Sequence, residues 1–452
     1  MPCHRYTSTL QWMWSSLQFP SVIHTMERVI RFGKSTFASL HTRNYRLYFI
    51  GQAISLSGTW MQTVAQGLLV LKLTNSGTML GFVVALQFLP VLLFAPLGGV
   101  IVDRFPKRNI LFVTQSVSGL LALLLGILVF TNTVQLWMVC ILAFALGVVS
   151  SVDNPTRQSF TPEMVDKEKL TNVVTLNAWE VNLTRVIGPL IAGVLAPTIG
   201  LAACFLLNSL SFFAVLFVLY LMNTKLLHPA PIEARKKGQL QEGFAYVAHS
   251  PILRNTLIML GLVGTLTYEF TVILPIFAQL TFHNLEIGYA GLSAGLGIGA
   301  VVGGLFTANR KRTSPKMLIV ASTCFGLSVL IVALSPTLPV AILGMVLVGA
   351  SSINFNSIGN VTLQMNSLPE MRGRVMSLWT VAFLGSTPIG GPIVGWIGEH
   401  IGPRWGLGIG AFAALLAAAI GLATLKQNRQ ESLPIPVEIL ATDVHAENRT
   451  KV

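Results

Sequence analysis

Apolar segments of about twenty residues recur along this 452-residue chain, and that repetition limits its possible folds more than any single motif does. A helix of about twenty residues spans the roughly 30 Å hydrocarbon core of a bilayer. Lipid offers backbone N–H and C=O groups no partners, so segments of this length must be helices. Twelve spans are expected, at roughly 46–71, 79–102, 109–130, 136–154, 173–197, 201–222, 253–279, 287–308, 317–335, 338–361, 375–398 and 405–425. Composition agrees: 53% of residues are hydrophobic and only 10% charged, against about 25% charged in soluble domains.

A net charge of +13 could suit nucleic acid, but its placement argues otherwise. Of the 30 Lys and Arg residues, only Lys72 and Arg404 fall in one set of loops, and Arg185 alone lies deep in a span. The others gather in the termini and alternate loops, for example Arg104, Lys107 and Arg108, or Arg235, Lys236 and Lys237. This bias places both termini and those loops in the cytoplasm, which requires an even number of spans. Cys3, Cys140, Cys204 and Cys324 are isolated and show neither a metal spacing nor a disulfide framework, so they read as small buried apolar residues. Residues 1–25 lack the basic start and apolar core of a cleavable signal.

The longest loop, 223–250, divides the spans into two sets of six and includes Leu240, Phe244, Val247 and Ala248 on one helical face. The expected organisation is an N-terminal extension over 1–43, disordered or interfacial, and a six-helix half over 44–222. A cytoplasmic loop with an amphipathic helix over 223–250 follows, then a second half over 251–425 and a cytoplasmic tail over 426–452. The halves echo each other at an offset of roughly 205 residues. Gly98-Gly99 answers Gly303-Gly304, Pro162-Glu-Met164 answers Pro369-Glu-Met371, and Gly188-Pro189 answers Gly391-Pro392.

Between the second and third spans runs Gly99-Val-Ile-Val-Asp103-Arg104-Phe-Pro-Lys107-Arg108. The spacing resembles the corresponding loop of major facilitator superfamily transporters, with Pro106 in place of the usual second glycine. The resemblance implies an all-α membrane fold of twelve transmembrane helices in two pseudo-symmetric halves around a central cavity. It also implies that Asp103 helps hold the cytoplasmic side closed near Arg374–Ser377, with Asp153 bonded to Arg104 or Arg108. A plain positive-inside anchor would need only the basic residues. The second-half copy carries Ala308 where Asp103 stands, so such a gate is one-sided. Gly188-Pro189-Leu-Ile-Ala192-Gly193 partly resembles the kinked motif of facilitator antiporters, with Ala192 replacing a glycine; packing alone also uses Gly and Pro in membrane helices.

Charges inside spans point to function, because burying them is costly unless they are paired or hydrated. Glu180 and Arg185 lie in span five, about 140° apart around the helix, so they should face different partners. Glu269 in span seven has no local cation. These three are the candidates for proton coupling, against a structural hydrogen bond or an outward-snorkelled carboxylate. Gln52, Ser55, Thr59, Gln62 and Gln66 form a stripe at helical spacing in span one that should line the cavity or an interhelical contact. Asn356, with Ser352 and Asn360 on the same face of span ten, is a further cavity candidate. Gly291, Gly295, Gly299 and Gly303 read as a packing ridge, since no strand precedes them to make a nucleotide loop. No catalytic cluster or P-loop is present, so neither an enzyme nor a cofactor nor a resident metal is expected.

The stretches Asn44–Met61, Asp153–Gln158 and Glu370–Val375 are similar to the bacterial exporter group that contains enterobactin and macrolide efflux proteins. That resemblance implies proton antiport of a drug-like or siderophore-type molecule through the bacterial inner membrane, by a monomer whose partners are its small-molecule substrate, protons and the lipid bilayer. A proton-coupled nutrient importer of the same fold, or a non-transporting receptor or scaffold, is the alternative.

Overall fold

A computed structural model describes residues 38–228, 239–308, 314–368, 371–383 and 385–431. Most of the expected N-terminal extension and almost all of the C-terminal tail lie outside these residues. Among the described residues every regular element is helical. The first half comprises α1 (Arg43–Thr74), α2 (Gly77–Arg104), α3 (Lys107–Phe130), α4 (Leu136–Phe160), α5 (Leu170–Thr198) and α6 (Leu201–Leu221). A short helix, α7 (Gln239–His249), follows in the central loop. The second half comprises α8 (Pro251–Leu266), α9 (Phe270–Phe282), α10 (Leu285–Ala308), α11 (Pro315–Ala333), α12 (Leu338–Met365), α13 (Arg372–Phe383), α14 (Thr387–His400) and α15 (Pro403–Glu431).

Eleven described segments are long and apolar enough to cross a membrane, counting α8–α9 and α13–α14 as one crossing each. The 32-residue α1 supplies the twelfth; its polar stripe lowers its hydropathy but not its reach. Large apolar side chains such as Leu93, Phe130, Leu343 and Phe412 are exposed around the outside. In water such a surface would aggregate, whereas in lipid it is the proper solvent face.

The packing repeats between halves. In the first, α2 lies against α4 and α3 against α6; in the second, α10 lies against α12 and α11 against α15. Between the halves α2 meets α14 and α5 meets α10. Glycine makes several of these approaches possible, because without a hydrophobic force between helices in lipid, close backbone contact supplies the attraction. A Cβ at Gly299 of α10 would lie 2.0 Å from the Val346 carbonyl oxygen of α12, and one at Gly81 of α2 would lie 2.3 Å from the Gly391 oxygen of α14. The packing ridge on span eight is therefore observed. Cys204 is buried, but Cys324 is exposed on α11, contrary to the expectation of a buried residue; a thiol is apolar enough to face lipid.

Spans seven and eleven differ from the continuous helices expected. Each is broken, at Thr267–Glu269 and at Gly385–Ser386. The second break follows local chemistry: Gly385-Ser386-Thr387-Pro388 disfavours helix before the proline and restarts it with Pro388 in the first turn. The first has no comparable signal and is held by tertiary contact. Thr267 Oγ1 donates to the Gly410 carbonyl at 2.8 Å, and a Cβ at Gly390 would fall 1.8 Å from the Thr265 oxygen.

Gly299→Ala should lower the thermal unfolding midpoint by the equivalent of about 1–3 kcal/mol, because a backbone oxygen cannot rotate away. Gly304→Ala, where nothing lies within 4 Å of the new Cβ, should leave it unchanged. Thermal unfolding in detergent compares them, and equal losses would refute the close-approach account.

Candidate functional site

At the basic-loop end, Asp153 of α4 is buried and fully engaged. It accepts from Arg157 Nε at 2.7 Å, Thr114 Oγ1 at 2.6 Å and Gln115 Nε2 at 2.8 Å. The expected partners, Arg104 and Arg108, are not used: Arg157 one helical turn away is the nearer cation. Arg108 instead donates to the Leu219 carbonyl at 2.8 Å and covers the Phe112 ring, while Arg104 is exposed. Lys107 pairs with Glu163, and Arg374 with Glu242 of α7. The side chain of Asp103 and the surroundings of Gly99 lie outside the described residues.

The polar stripe of α1 is spent largely on neighbouring helices of its own half. Gln52 accepts from Arg157 at 3.1 Å, Gln62 from Asn208 at 2.7 Å, and Gln66 donates to Gln87 at 3.1 Å. Ser55 is buried and its carbonyl accepts from Thr59. Thr59, Gln62 and Gln66 also line a small cleft of about 30 Å3 with Gln87, Ser118 and Asn208. Glu180 is 4% exposed and one carboxylate oxygen has no partner; Arg157 is the cation whose field reaches it.

Arg185 faces elsewhere. Its guanidinium lies 4.8 Å from the centre of the Trp60 ring, and its buried Nε has no partner. Gly188 permits this, since a Cβ there would meet Trp60 Cβ at 2.4 Å; α5 continues as helix through Pro189.

Across from this region, Glu269 occupies the break before α9, 1% exposed. It bonds to Thr387, the first residue of α14, but its Oε1 has no partner. A Cβ at Gly390 would lie 3.0 Å from that oxygen, so only glycine admits the carboxylate. Tyr268 donates its hydroxyl to the Ser352 carbonyl at 2.6 Å. On the same face of α12, Asn356 has a buried Oδ1 without a partner.

At the opposite end from the basic loops, the halves are joined by polar contacts. Glu399 of α14 accepts from Ser76 Oγ at 2.8 Å, Thr78 N at 2.9 Å and Thr78 Oγ1 at 2.5 Å, a carboxylate at the N-terminus of α2. Lys72 pairs with Glu286 at 2.5 Å, and Gln279 donates to Asn75 at 3.0 Å. Reading the sequence missed this set because its members are more than 200 residues apart along the chain. It also missed Trp60, Thr387 and Trp379, which carry no motif.

Asp153→Asn should lower stability by about 2 kcal/mol, since it strands a mostly buried guanidinium. Arg157→Gln added to that variant should cost much less than Arg157→Gln alone. A double-mutant cycle on thermal unfolding measures the coupling, and additivity would show that the pair does not act as a unit.

Comparison with known proteins agrees with this architecture. Residues 34–448 match the family described as transmembrane secretion effector. The chain is 25% identical over 405 residues to Enterobactin exporter EntS of Shigella boydii serotype 18, covering 88% of this chain and 95% of that protein. It is 24% identical over 336 residues to the Staphyloferrin A transporter of Staphylococcus aureus, covering 74% and 84%. The fold matches a bacterial homologue of the iron transporter ferroportin in an inward-facing state, with a TM-score of 0.66 and 16% identity over 84% of this chain and 98% of that one. A POT family transporter in complex with 5-aminolevulinic acid matches with a TM-score of 0.70 and 13% identity, over 87% and 97%. A family match over nearly the whole chain, on two six-crossing halves, establishes that this multi-pass membrane protein belongs to the major facilitator superfamily, in its transmembrane secretion effector family.

Proposed function

We propose that this protein exports small amphiphilic molecules of drug or siderophore type by proton antiport, its two halves alternating access to a site between them. The observation that carries the reading is Glu269, a buried carboxylate with a free oxygen at a helix break between the halves. Its bonded partner, Thr387, begins the same helix that contacts α2. An ionised Glu269 accepts the hydrogen bond of the Thr387 side chain and so holds the start of α14. A proton weakens the hold, so protonation and the placing of α14 are linked. Glu180 is the second acid available for a proton, near Arg157.

The positive-inside bias supports cytoplasmic basic loops and termini, in the bacterial inner membrane. On that orientation the contacts of Glu399 and Glu286 close the external side, and Asp103 belongs to the gate on the other. Closure by a few half-exposed polar contacts suits a gate that must open, because exposed ion pairs contribute only about 0–1 kcal/mol each. The likeness to Enterobactin exporter EntS supports outward transport of a comparable molecule, and the likeness to the Staphyloferrin A transporter supports transport of one; we take the transporting unit to be a monomer.

Purified protein in proteoliposomes with an imposed pH gradient tests the coupling. Glu269→Gln should reduce gradient-driven flux by at least about tenfold while sparing substrate exchange at equal pH. Full gradient-driven flux in that variant would remove Glu269 as the coupling acid. Glu399→Gln should shift the population toward the externally open state, read as faster thiol labelling from outside of Ala85→Cys, a buried position one turn beyond Gly81 on α2; unchanged labelling would dismiss the contact as a gate.

A further inference from the structure

We propose that the site between the halves selects anions carried on flat, conjugated rings, with Arg185 holding the negative charge. The inference rests on the transport reading above and specifies its substrate. Arg185 makes no ion pair or hydrogen bond to another described residue, and its Nε is buried without a partner. A cation deep in a membrane protein is costly without a counter-charge, so its anion is expected from outside the chain. The neighbouring acids do not serve. Glu180 lies within electrostatic reach of Arg157, Tyr45 and Tyr48, and Glu269 is held by Thr387.

The surroundings say what carries the anion. Arg185 lies over the Trp60 ring in the first half and within electrostatic reach of Tyr268 in the second. Tyr268 meets Phe383 edge to face at 4.7 Å. Phe383 in turn stacks on Trp379 at 5.8 Å with 8° between planes. Trp379 has a buried indole N–H without a partner. Asn356 adds an unpartnered acceptor one helical turn from Ser352, the residue that receives the Tyr268 hydroxyl. A guanidinium on one wall, stacked aromatic faces on the other and one spare donor and one spare acceptor fit an aryl carboxylate or phenolate that can also hydrogen-bond. A cation of the same shape would meet the like charge of Arg185, while Glu269, the acid beside Tyr268, is engaged by Thr387.

The test uses two dyes on one ring system, carboxyfluorescein as the anion and rhodamine 123 as the cation. Binding to the full-length protein in nanodiscs is followed by fluorescence anisotropy. Wild type should prefer carboxyfluorescein. Arg185→Gln should weaken carboxyfluorescein at least about tenfold without weakening rhodamine, and Arg185→Lys should keep part of the preference. Equal or tighter binding of rhodamine by wild type would overturn the proposal, and so would equal weakening of both dyes in a folded Arg185→Gln. If that variant does not fold, the wild-type preference and the Arg185→Lys result decide. The two readings fail separately: gradient-driven flux of rhodamine alone upholds transport and overturns anion selection. Selective carboxyfluorescein binding without gradient-driven flux upholds the anion site and removes proton-driven transport.

Discussion

In hydrocarbon no solvent stands ready to satisfy a donor, acceptor or charge, and the whole structure is arranged around that shortage. Most of the chain answers it with uninterrupted helices. The two interruptions, before α9 and before α14, are placed where they shelter each other: Gly264 packs on the Phe383 backbone and Gly390 on the Thr265 carbonyl. Because broken helix is tolerated only inside protein, these breaks lie in the interior. They bring Tyr268, Glu269 and Thr387 to the region where the halves meet.

The same shortage separates polar groups that are fully bonded from those that are not. Asp153 receives three donors and is thereby committed to holding α3 and α4 together. The amides of α1 are mostly committed as well, to Arg157, Asn208 and Gln87. Glu269, Glu180, Arg185 and Asn356 each keep a buried atom without a partner, as do Tyr48, Gln52, Gln115 and Trp379. Of these only Glu269, Glu180 and Arg185 are ionisable groups within spans that carry a charge near neutral pH. A group that is buried, costly and unspent has chemistry left for a proton or a ligand.

Contacts between halves are of two kinds with different consequences. Along α2 and α14, glycines bring backbones together over a surface with few side chains to interlock. Such a surface can rock without repacking a core. At its end, Glu399, Lys72 and their partners add directional bonds that are partly solvent-exposed. Separating them exchanges protein partners for water at modest cost.

Hydropathy and charge placement by themselves determined the twelve crossings, the two halves and the unusual acids and base within spans. A bilayer imposes length, polarity and internal bonding on each segment separately, so these features are local. The α8–α9 break left no local signal, since it depends on glycines of α14 over a hundred residues later. The Gly-Ser-Thr-Pro restart of α14 was legible but lay hidden inside an apolar run. Asp153 was recognisable as important, yet its partner is Arg157, because a cation one helical turn away competes better than one on a loop. Only the tertiary structure decided which polar residues were paired. Whether Arg185 has an anion, or Glu269 a second donor, depends on side chains brought close by folding, and proximity of that kind is a property of packing rather than of order along the chain.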